Sequence, residues 1–167
     1  MNYEIKEYSK EYEKDLIELL MRVCVNEYNM RDYEASLRQY VEEEEFQKAW
    51  IILDNERIIA TIGYEERDNK VAELKRVYID KDYRHQGLGT SMMYYVVQYL
   101  KDNNYDTIYV RTVNNFSNAI KFYKKYGFEN IFDDGEKYVF KMQLRQGAWI
   151  YNKRKSKLAF LYLLSNS

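Results

Sequence analysis

Hydrophobic positions in the first part of the chain follow two different periods. Residues 2–8 alternate Tyr3 and Ile5 with charged neighbours, which predicts a short strand. Ser9 is a typical helix N-cap residue, and apolar residues recur at helical spacing after it, so a first helix is expected there. Residues 31–45 predict a second, more exposed helix that ends in a run of glutamates, for which a solvated surface is the favoured interpretation.

Alternating, β-rich segments dominate the middle of the chain. Residues 49–53 and 57–64 flank a polar turn, which is typical of a hairpin. A second turn at residues 69–70 leads into a third strand over residues 71–80. From Leu88 onwards the period changes to nearly four, which predicts a helix that ends near residues 101–104.

The last part of the predicted fold repeats this change of period. Residues 107–112 predict a strand, and Phe116, Ile120 and Tyr123 share one face of a helix that stops at Gly127. Two further strands, over 128–132 and 137–144, bracket a turn. The order of strand, two helices, three strands, helix, strand, helix and two strands predicts a mixed α/β sheet without internal repeat or domain linker.

The composition excludes several kinds of site. A chain of 167 residues can bury a sizeable core without disulfide or metal support. A single cysteine, Cys24, rules out a disulfide within the chain, and a single histidine, His85, leaves almost no material for a zinc site or a histidine-based triad. No metal is expected. Cys24 lies between two valines and is interpreted as a core residue, not a nucleophile.

Charge is unevenly distributed along the chain. Residues 145–167 contain five basic and no acidic residues, which leaves residues 1–144 with a net charge of −6. This distribution argues against a nucleic-acid-binding surface on the main body and mildly favours cationic partners. The 19 tyrosines are spread over all predicted elements and are interpreted as core and general composition, not as a stacking surface.

Neither end of the chain predicts membrane insertion. The N-terminus lacks the apolar run of a signal peptide, so a cytoplasmic location is expected. The longest apolar run, residues 158–164, is shorter than the ~20 residues that a membrane-spanning helix requires. Four interpretations of residues 145–167 stay open: a partner-docking helix, an arm of a possible homodimer, a contact with anionic lipid and a poorly ordered end.

The most informative segment is a glycine-containing loop between a predicted strand and a predicted helix. Two glycines, Gly87 and Gly89, open the helix after a polar loop, where backbone N–H groups and the helix dipole favour an anionic ligand such as a phosphate. The GxxxxGK[ST] motif of nucleotide P-loops is absent. A dinucleotide-binding GxGxxG is also excluded, because Met92 holds the third glycine position.

Three motifs in the expected order resemble the GNAT superfamily of acyl-CoA-dependent N-acyltransferases. They are Arg84-x-x-Gly87-x-Gly89, residues 72–79, which look like the fourth strand of that family, and residues 118–128, which look like its late helix. The resemblance implies an α/β fold with a central mixed sheet of about seven strands, helices on both faces and strands that splay at the acyl-CoA site. It assigns residues 1–144 to the acyltransferase domain and residues 145–167 to a C-terminal extension.

The resemblance also implies where acetyl-CoA binds as a co-substrate. The coenzyme lies between the strands that end at Asp80 and Thr112, with its pantetheine arm on the first strand and its pyrophosphate on the loop amides. Phe116 replaces an asparagine that many family members have three residues before the helix alanine. The residues expected to bind the coenzyme are Val77, Tyr78, Ile79, Arg84, His85, Gln86, Gly87, Leu88, Gly89, Thr90, Asn115 and Asn118.

Two residues match catalytic positions of the family. Glu73 stands where many members have a glutamate that deprotonates the acceptor amine, and a raised pKa on partial burial would suit a base. The alternative is an exposed strand residue, with Glu65 and Glu66 as the next candidates for the base. Tyr123 matches the tyrosine that protonates the coenzyme sulfur, although its helix face alone predicts a core residue. The side chain of His85 is expected to face solvent.

These residues together predict an N-acetyltransferase that moves an acetyl group directly from acetyl-CoA to a primary amine of a small molecule or a protein. No covalent enzyme intermediate is required for that reaction. A non-catalytic acyl-CoA-binding regulatory module is the alternative, since a fold alone does not establish an activity.

Overall fold

The computed structural model describes residues 3–144 of the chain. Asn2, at the start of the first predicted strand, and the basic segment of residues 145–167 therefore lie outside the described residues. Within the described part, the elements follow in the order predicted from the sequence. The helices are α1 (Glu13–Leu20), α2 (Glu34–Glu42), α3 (Leu88–Asp102) and α4 (Ser117–Tyr126), and the strands are β1 (Glu4–Glu7), β2 (Lys48–Asp54), β3 (Arg57–Asp68), β4 (Val71–Ile79), β5 (Thr107–Val113), β6 (Glu129–Asp133) and β7 (Lys137–Gln143).

The seven strands form one mixed sheet in the order β1-β2-β3-β4-β5-β7-β6. At one end, β2 pairs antiparallel with both β1 and β3, and at the other end β7 pairs antiparallel with both β5 and β6. This arrangement confirms the predicted fold class. No helix among the described residues is long and apolar enough to cross a membrane.

The chain divides into two compact units, and the first comprises residues 3–67 and 73–84 of the described chain. It holds α1, α2, β1–β3 and most of β4. Its core is built from the apolar faces of the two helices and from alternating strand residues, because both patterns place one side of the element away from water. The buried core residues include Leu16, Leu19, Leu20, Val23, Cys24, Leu37, Val41, Ala49, Ile51 and Ile58.

The first helical region begins without the expected side-chain cap, and after α1 it continues as a different type of helix. Ser9 precedes a short 3₁₀ turn, Lys10–Tyr12, but its hydroxyl donates to the Glu11 carboxylate and caps no backbone N–H group. After α1 the chain continues as a π-helix, Met21–Glu27, which carries the predicted apolar face onward through the buried Val23. The helical period in the sequence was therefore informative. Ser9 occupies the N-cap position of the 3₁₀ turn, but its side chain makes no capping hydrogen bond.

The second unit comprises residues 68–72 and 85–144 and holds α3, β5, α4, β6 and β7. Helix α4 ends at Gly127, whose φ of 112° is the left-handed conformation that a glycine C-cap adopts readily. The buried residues of α4 are Tyr123 and Tyr126, while Phe116 and Ile120 are half-buried. The predicted inward face is confirmed, and Tyr126 extends it by a further turn position.

Helix α2 ends at the first residue of the acidic run that was assigned to it. Its last residue is Glu42, and two residues later Glu44 has a φ of 49°, a left-handed conformation that cannot continue a helix. Glu42 to Glu45 are all exposed, so the interpretation of this run as a solvated surface is confirmed.

The end of β4 is fixed by a buried carboxylate. Asp80 is only 4% exposed, and its Oδ2 accepts from Arg22 Nε at 3.0 Å and from Arg57 Nη2 at 2.7 Å. Its Oδ1 accepts from the Asp82 amide at 3.3 Å, which caps the 3₁₀ turn Lys81–Tyr83. Burying an unpaired charge is costly, so this carboxylate is compatible with the fold only because both cations reach it.

These contacts predict a pH-dependent stability. Burial raises the pKa of Asp80, but the Asp82 amide and the two guanidinium groups outweigh burial, so its pKa lies below the ordinary value. A folded-state pKa below the unfolded value of about 3.9 stabilises the fold above that value. The stabilisation is lost as the pH falls through the folded-state pKa.

Replacing Asp80 by Asn should lower the free energy of unfolding by about 2 kcal/mol at pH 7, since hydrogen bonds to a charged group are lost. The difference from wild type should shrink as the pH is lowered below about 4, because the unfolded state then binds a proton more readily than the folded state does. Urea unfolding at several pH values measures this difference. Glu34→Gln, at an exposed ion pair with Arg38, is the control and should change stability by under about 0.5 kcal/mol. A difference for Asp80→Asn that stays constant down to about pH 3 would contradict the assignment.

Candidate functional site

The candidate base, Glu73, lies in β4 of the first unit and is only 2% exposed. It forms ion pairs with two cations, Arg67 at its Oε2 and Lys75, whose Nζ lies 3.1 Å from its Oε1. The alternative of an exposed strand residue is therefore wrong. Burial favours the neutral form of the Glu73 carboxyl group, whereas the two neighbouring cations favour its ionised form.

The other two candidate bases on the neighbouring strand are more accessible. Glu65 is half-buried and lies 3.6 Å from the same Lys75 ammonium, and Glu66 is exposed. Of the three, Glu73 is the carboxylate that the fold removes from water. Sequence reasoning missed both of its cationic partners, although Lys75 could have been found, because residues two apart in a strand share one face.

Strand β4 changes conformation immediately before the residues expected to contact the coenzyme. Arg76 has a φ of 50°, which interrupts the regular pleat of the strand. Its guanidinium lies over the ring of Tyr40 at 4.9 Å. Val77, Tyr78 and Ile79 follow and are half-buried.

The side chain of Tyr78 belongs to the packing of the first unit. Its ring packs against the buried core, and burial, together with the neighbouring Cys24, raises the pKa of its phenol. Cys24 is itself buried, and burial raises the pKa of its thiol, so the residue is an inert core thiol, as predicted. Tyr78 therefore offers its backbone, not its hydroxyl, to any ligand on this strand.

Arg84 is held within the first unit. Its guanidinium forms a bidentate pair with Glu27, donates from Nε to the Ile79 carbonyl at 2.9 Å and lies 5.8 Å from the centre of the Tyr28 ring. Its backbone N–H donates to the Lys81 carbonyl at 3.4 Å. The position of Glu27, 57 residues away in sequence, carries no local signal of this contact.

The glycine-containing loop belongs to the second unit and precedes α3. His85 and Gly87 have positive φ values, 60° and 86°, so the backbone is left-handed at two positions before the helix begins. Gly87 is the N-cap residue of α3, and no side chain caps this end. A Cβ at Gly87 would meet no atom within 4 Å, so the glycine is required by its φ and not by crowding.

The start of α3 is suited to an anionic group. The first N–H groups of an α-helix have no acceptor within the helix, and here they begin with Leu88, Gly89 and Thr90. The helix dipole adds a partial positive charge at the same end. Leu88 is buried and anchors the helix, Gly89 and Thr90 are half-buried, and His85 and Gln86 are exposed. The exposure of His85 agrees with the expectation that its side chain faces solvent.

Helix α4 supplies the candidate acid, Tyr123. It is 3% exposed and contacts the rings of Phe122, Phe128 and Phe140 at centroid distances of 5.5–5.8 Å. Burial raises the pKa of its hydroxyl, so the group is protonated at neutral pH and can donate a hydrogen bond. Tyr123 therefore contributes to packing and at the same time provides a neutral hydroxyl that could act on a ligand.

The polar residues around the start of α4 are accessible. Asn115 and Asn118 are both exposed, whereas Phe116, which occupies the expected asparagine position, is the half-buried N-cap residue of the helix. Phe116 has no side-chain acceptor for the helix N–H groups, so it cannot supply the amide contacts of an asparagine.

Comparison with known proteins finds relatives that are named as N-acetyltransferases. A Drosophila melanogaster protein, probable N-acetyltransferase san, is 44% identical over 57 residues, which is 34% of this chain and 30% of that protein. N-alpha-acetyltransferase 30 of Schizosaccharomyces pombe is 25% identical over 125 residues, covering 72% of this chain and 80% of that protein. The chain thus matches less than a third of the length of the Drosophila protein.

A solved structure shows the same fold. The PaiA N-acetyltransferase of Thermoplasma acidophilum, determined in complex with coenzyme A, superposes with a TM-score of 0.75 at 20% identity. The match covers 86% of this chain and 99% of that chain. The family model described as Acetyltransferase (GNAT) family matches residues 13–128, which is more than half of the chain. The resemblance carried by the three sequence motifs is therefore confirmed, and the chain belongs to the GNAT family of acetyltransferases.

Proposed function

We propose that this protein transfers an acetyl group from acetyl-CoA to a primary amine of a small molecule or a protein, directly within a ternary complex. The observation that carries the proposal is the burial of Glu73 in β4 with its carboxylate ion-paired. Burying a carboxylate costs desolvation energy. By the motif resemblance, Glu73 also stands where many family members have a glutamate that deprotonates the acceptor amine.

The residues at the start of α3 fit the coenzyme pyrophosphate. No side chain caps this helix, and the positive φ of Gly87 presents the following amides without a Cβ nearby. We assign the pyrophosphate to the N–H groups of residues 85–90 and the pantetheine amides to the backbone of residues 77–79. Asn115 and Asn118, both exposed, are the remaining polar side chains assigned to the coenzyme.

In the proposed reaction Glu73 takes a proton from the acceptor ammonium, directly or through water. The neutral nitrogen then attacks the thioester carbonyl and forms the C–N bond. The C–S bond breaks and the nitrogen releases its second proton to solvent, so that an amide and a thiolate result. Arg67 and Lys75 lie beside the Glu73 carboxylate and favour its ionised form, which is the form that accepts a proton.

Tyr123 is assigned the opposite task, donation of a proton or hydrogen bond to the departing sulfur. A free thiol has a pKa of about 8.5, whereas burial raises the pKa of the Tyr123 hydroxyl above its ordinary value. Complete proton transfer from tyrosine to thiolate is therefore uphill. The hydroxyl contributes mainly a hydrogen bond that strengthens as negative charge develops on sulfur.

Two observations bear on the acceptor. Residues 1–144 have a net charge of −6, which favours cationic acceptors such as polyamines, aminoglycosides or lysine side chains. The S. pombe relative is named an N-alpha-acetyltransferase, so peptides with a free α-amino group belong among the acceptors to be tested.

A thiol-release assay with acetyl-CoA and a panel of these amines tests the proposal. We expect release of free coenzyme thiol that depends on one class of amine and saturates with it. Binding of acetyl-CoA without thiol release for any amine in the panel would contradict the enzyme assignment and support a non-catalytic acyl-CoA-binding module.

Replacing Glu73 by Gln should lower turnover chiefly at lower pH, where most of the acceptor amine is protonated. Turnover should partly recover at high pH, where the amine is already neutral, and coenzyme affinity should change little. The pH profile of turnover, normalised to the folded fraction, measures this effect.

Glu65→Gln is the matched control for that variant, because it removes the other carboxylate beside Lys75 and leaves Glu73 in place. Its pH profile should follow wild type. An equal loss at all pH values for Glu73→Gln, or no loss, would assign Glu73 a structural role.

Replacing Tyr123 by Phe should lower turnover by about 10²-fold, the lower end for acid catalysis, because full proton transfer is unfavourable. The ring contacts remain, so the melting temperature should change little, and coenzyme affinity should fall much less than turnover. Saturated turnover and the dissociation constant of coenzyme A are the two measurements. Turnover within twofold of wild type would return Tyr123 to a packing role, and an equal fall in affinity would make it a binding residue.

A further inference from the structure

Arg84 is the last residue before the glycine-containing loop, yet its side chain is directed toward the end of the π-helix. Nη1 and Nη2 lie 2.5 and 2.7 Å from the two carboxylate oxygens of Glu27, and Nε donates to the Ile79 carbonyl at 2.9 Å. Three of the five guanidinium N–H groups are therefore engaged in a planar, bidentate arrangement.

This ion pair differs from the surface pairs of the chain. The side chains of Arg84 and Glu27 are 18% and 25% exposed, whereas those of Arg38 and Glu34, in a surface pair, are 44% and 45% exposed. Partial burial reduces screening by solvent and salt, and the face of Tyr28 covers the guanidinium at 5.8 Å. The pair therefore holds its geometry more firmly than an exposed ion pair does.

The contact lies where the loop conformation is set. The next residue, His85, has a φ of 60°, so the backbone turns directly after Arg84. On the preceding side, Asp80 and its two arginines fix the end of β4. A loop that starts from a fixed residue loses less conformational freedom when a ligand orders it, and it binds more tightly for that reason.

We propose that Glu27 is a positioning residue for coenzyme binding: it holds the Arg84 guanidinium so that the amides of residues 85–90 are preorganised for the pyrophosphate. Arg84 acts through this pair and does not itself contact the phosphates. The inference rests on the proposed function, since it concerns the same coenzyme loop.

Removing the Glu27 carboxylate distinguishes an Arg84 that holds the loop in place from an Arg84 that binds phosphate directly. If Glu27 positions the loop, Glu27→Ala and Arg84→Ala should each weaken coenzyme A binding roughly three- to tenfold, the size of a lost preorganisation term. The double variant should bind coenzyme A no more weakly than whichever single variant binds it more weakly, because both changes break the same ion pair. If Arg84 instead binds phosphate directly, Glu27→Ala frees a cation and should tighten binding.

Calorimetric titration of coenzyme A into the full-length chain, with melting temperatures recorded for every variant, provides the test. Glu34→Ala removes the same charge from an exposed pair in the same unit and should leave affinity unchanged. The KM for acetyl-CoA should rise with the dissociation constant while kcat stays within twofold, which a general loss of stability would not produce. If the alanine variant does not fold, Glu27→Gln takes its place, because glutamine keeps one acceptor oxygen. The loss of coenzyme A affinity should then be smaller than the loss expected for Glu27→Ala.

Affinity equal to or tighter than wild type in a folded Glu27→Ala variant would overturn this inference and leave the proposed function standing. Additive losses in the double variant would also overturn it, because the two residues would then act separately. Failure of the wild-type chain to bind coenzyme A at all would overturn the proposed function and this inference with it.

Discussion

A carboxylate that is almost completely buried at the end of β4 constrains much of the first unit. Asp80 stays charged only because Arg22, from the π-helix, and Arg57, from the start of β3, both reach its Oδ2 atom. Arg22 in turn donates to the Ile58 carbonyl at 2.8 Å, so the same cation also fixes the strand beside it. The helix, the hairpin and the end of β4 are therefore held in one relative arrangement by a requirement that a buried charge must be satisfied.

Sequence patterns were sufficient wherever local chemistry and hydrophobic period agree. The extent of α4 follows from one apolar face and from Gly127, and the hairpin between β2 and β3 follows from two alternating segments around Asn55, whose φ is 55°. Ser9 shows the limit of such reasoning, because its hydroxyl bonds a carboxylate instead of a helix N–H group. A cap residue satisfies whichever acceptor or donor lies nearest, and propensity alone does not identify that partner.

The sequence motifs named candidate residues for the site but not the ion-pair partners of those residues. The motifs identified Glu73 and Tyr123 as catalytic candidates. Both residues are buried, which is compatible with a functional side chain and equally with a core residue. Arg67 pairs with Glu73 across a hairpin, and Glu27 pairs with Arg84 over 57 residues. Ion pairs between distant residues depend on tertiary packing, so no window of the sequence indicates them, whereas the helix and strand periods are local properties of the chain.

The two candidate catalytic groups illustrate how burial alone does not determine a protonation state. Tyr123 is surrounded by aromatic rings and meets no cation among its described contacts, so burial keeps its hydroxyl neutral and able to donate. Glu73 is buried to the same degree, but Arg67 and Lys75 stabilise its negative charge and keep it able to accept. Two equally buried groups thus differ in what surrounds them, aromatic rings around the Tyr123 phenol and two cations beside the Glu73 carboxylate. In the proposed reaction, an acceptor ammonium that approaches Glu73 has to enter a site where Arg67 and Lys75 already pair with the carboxylate.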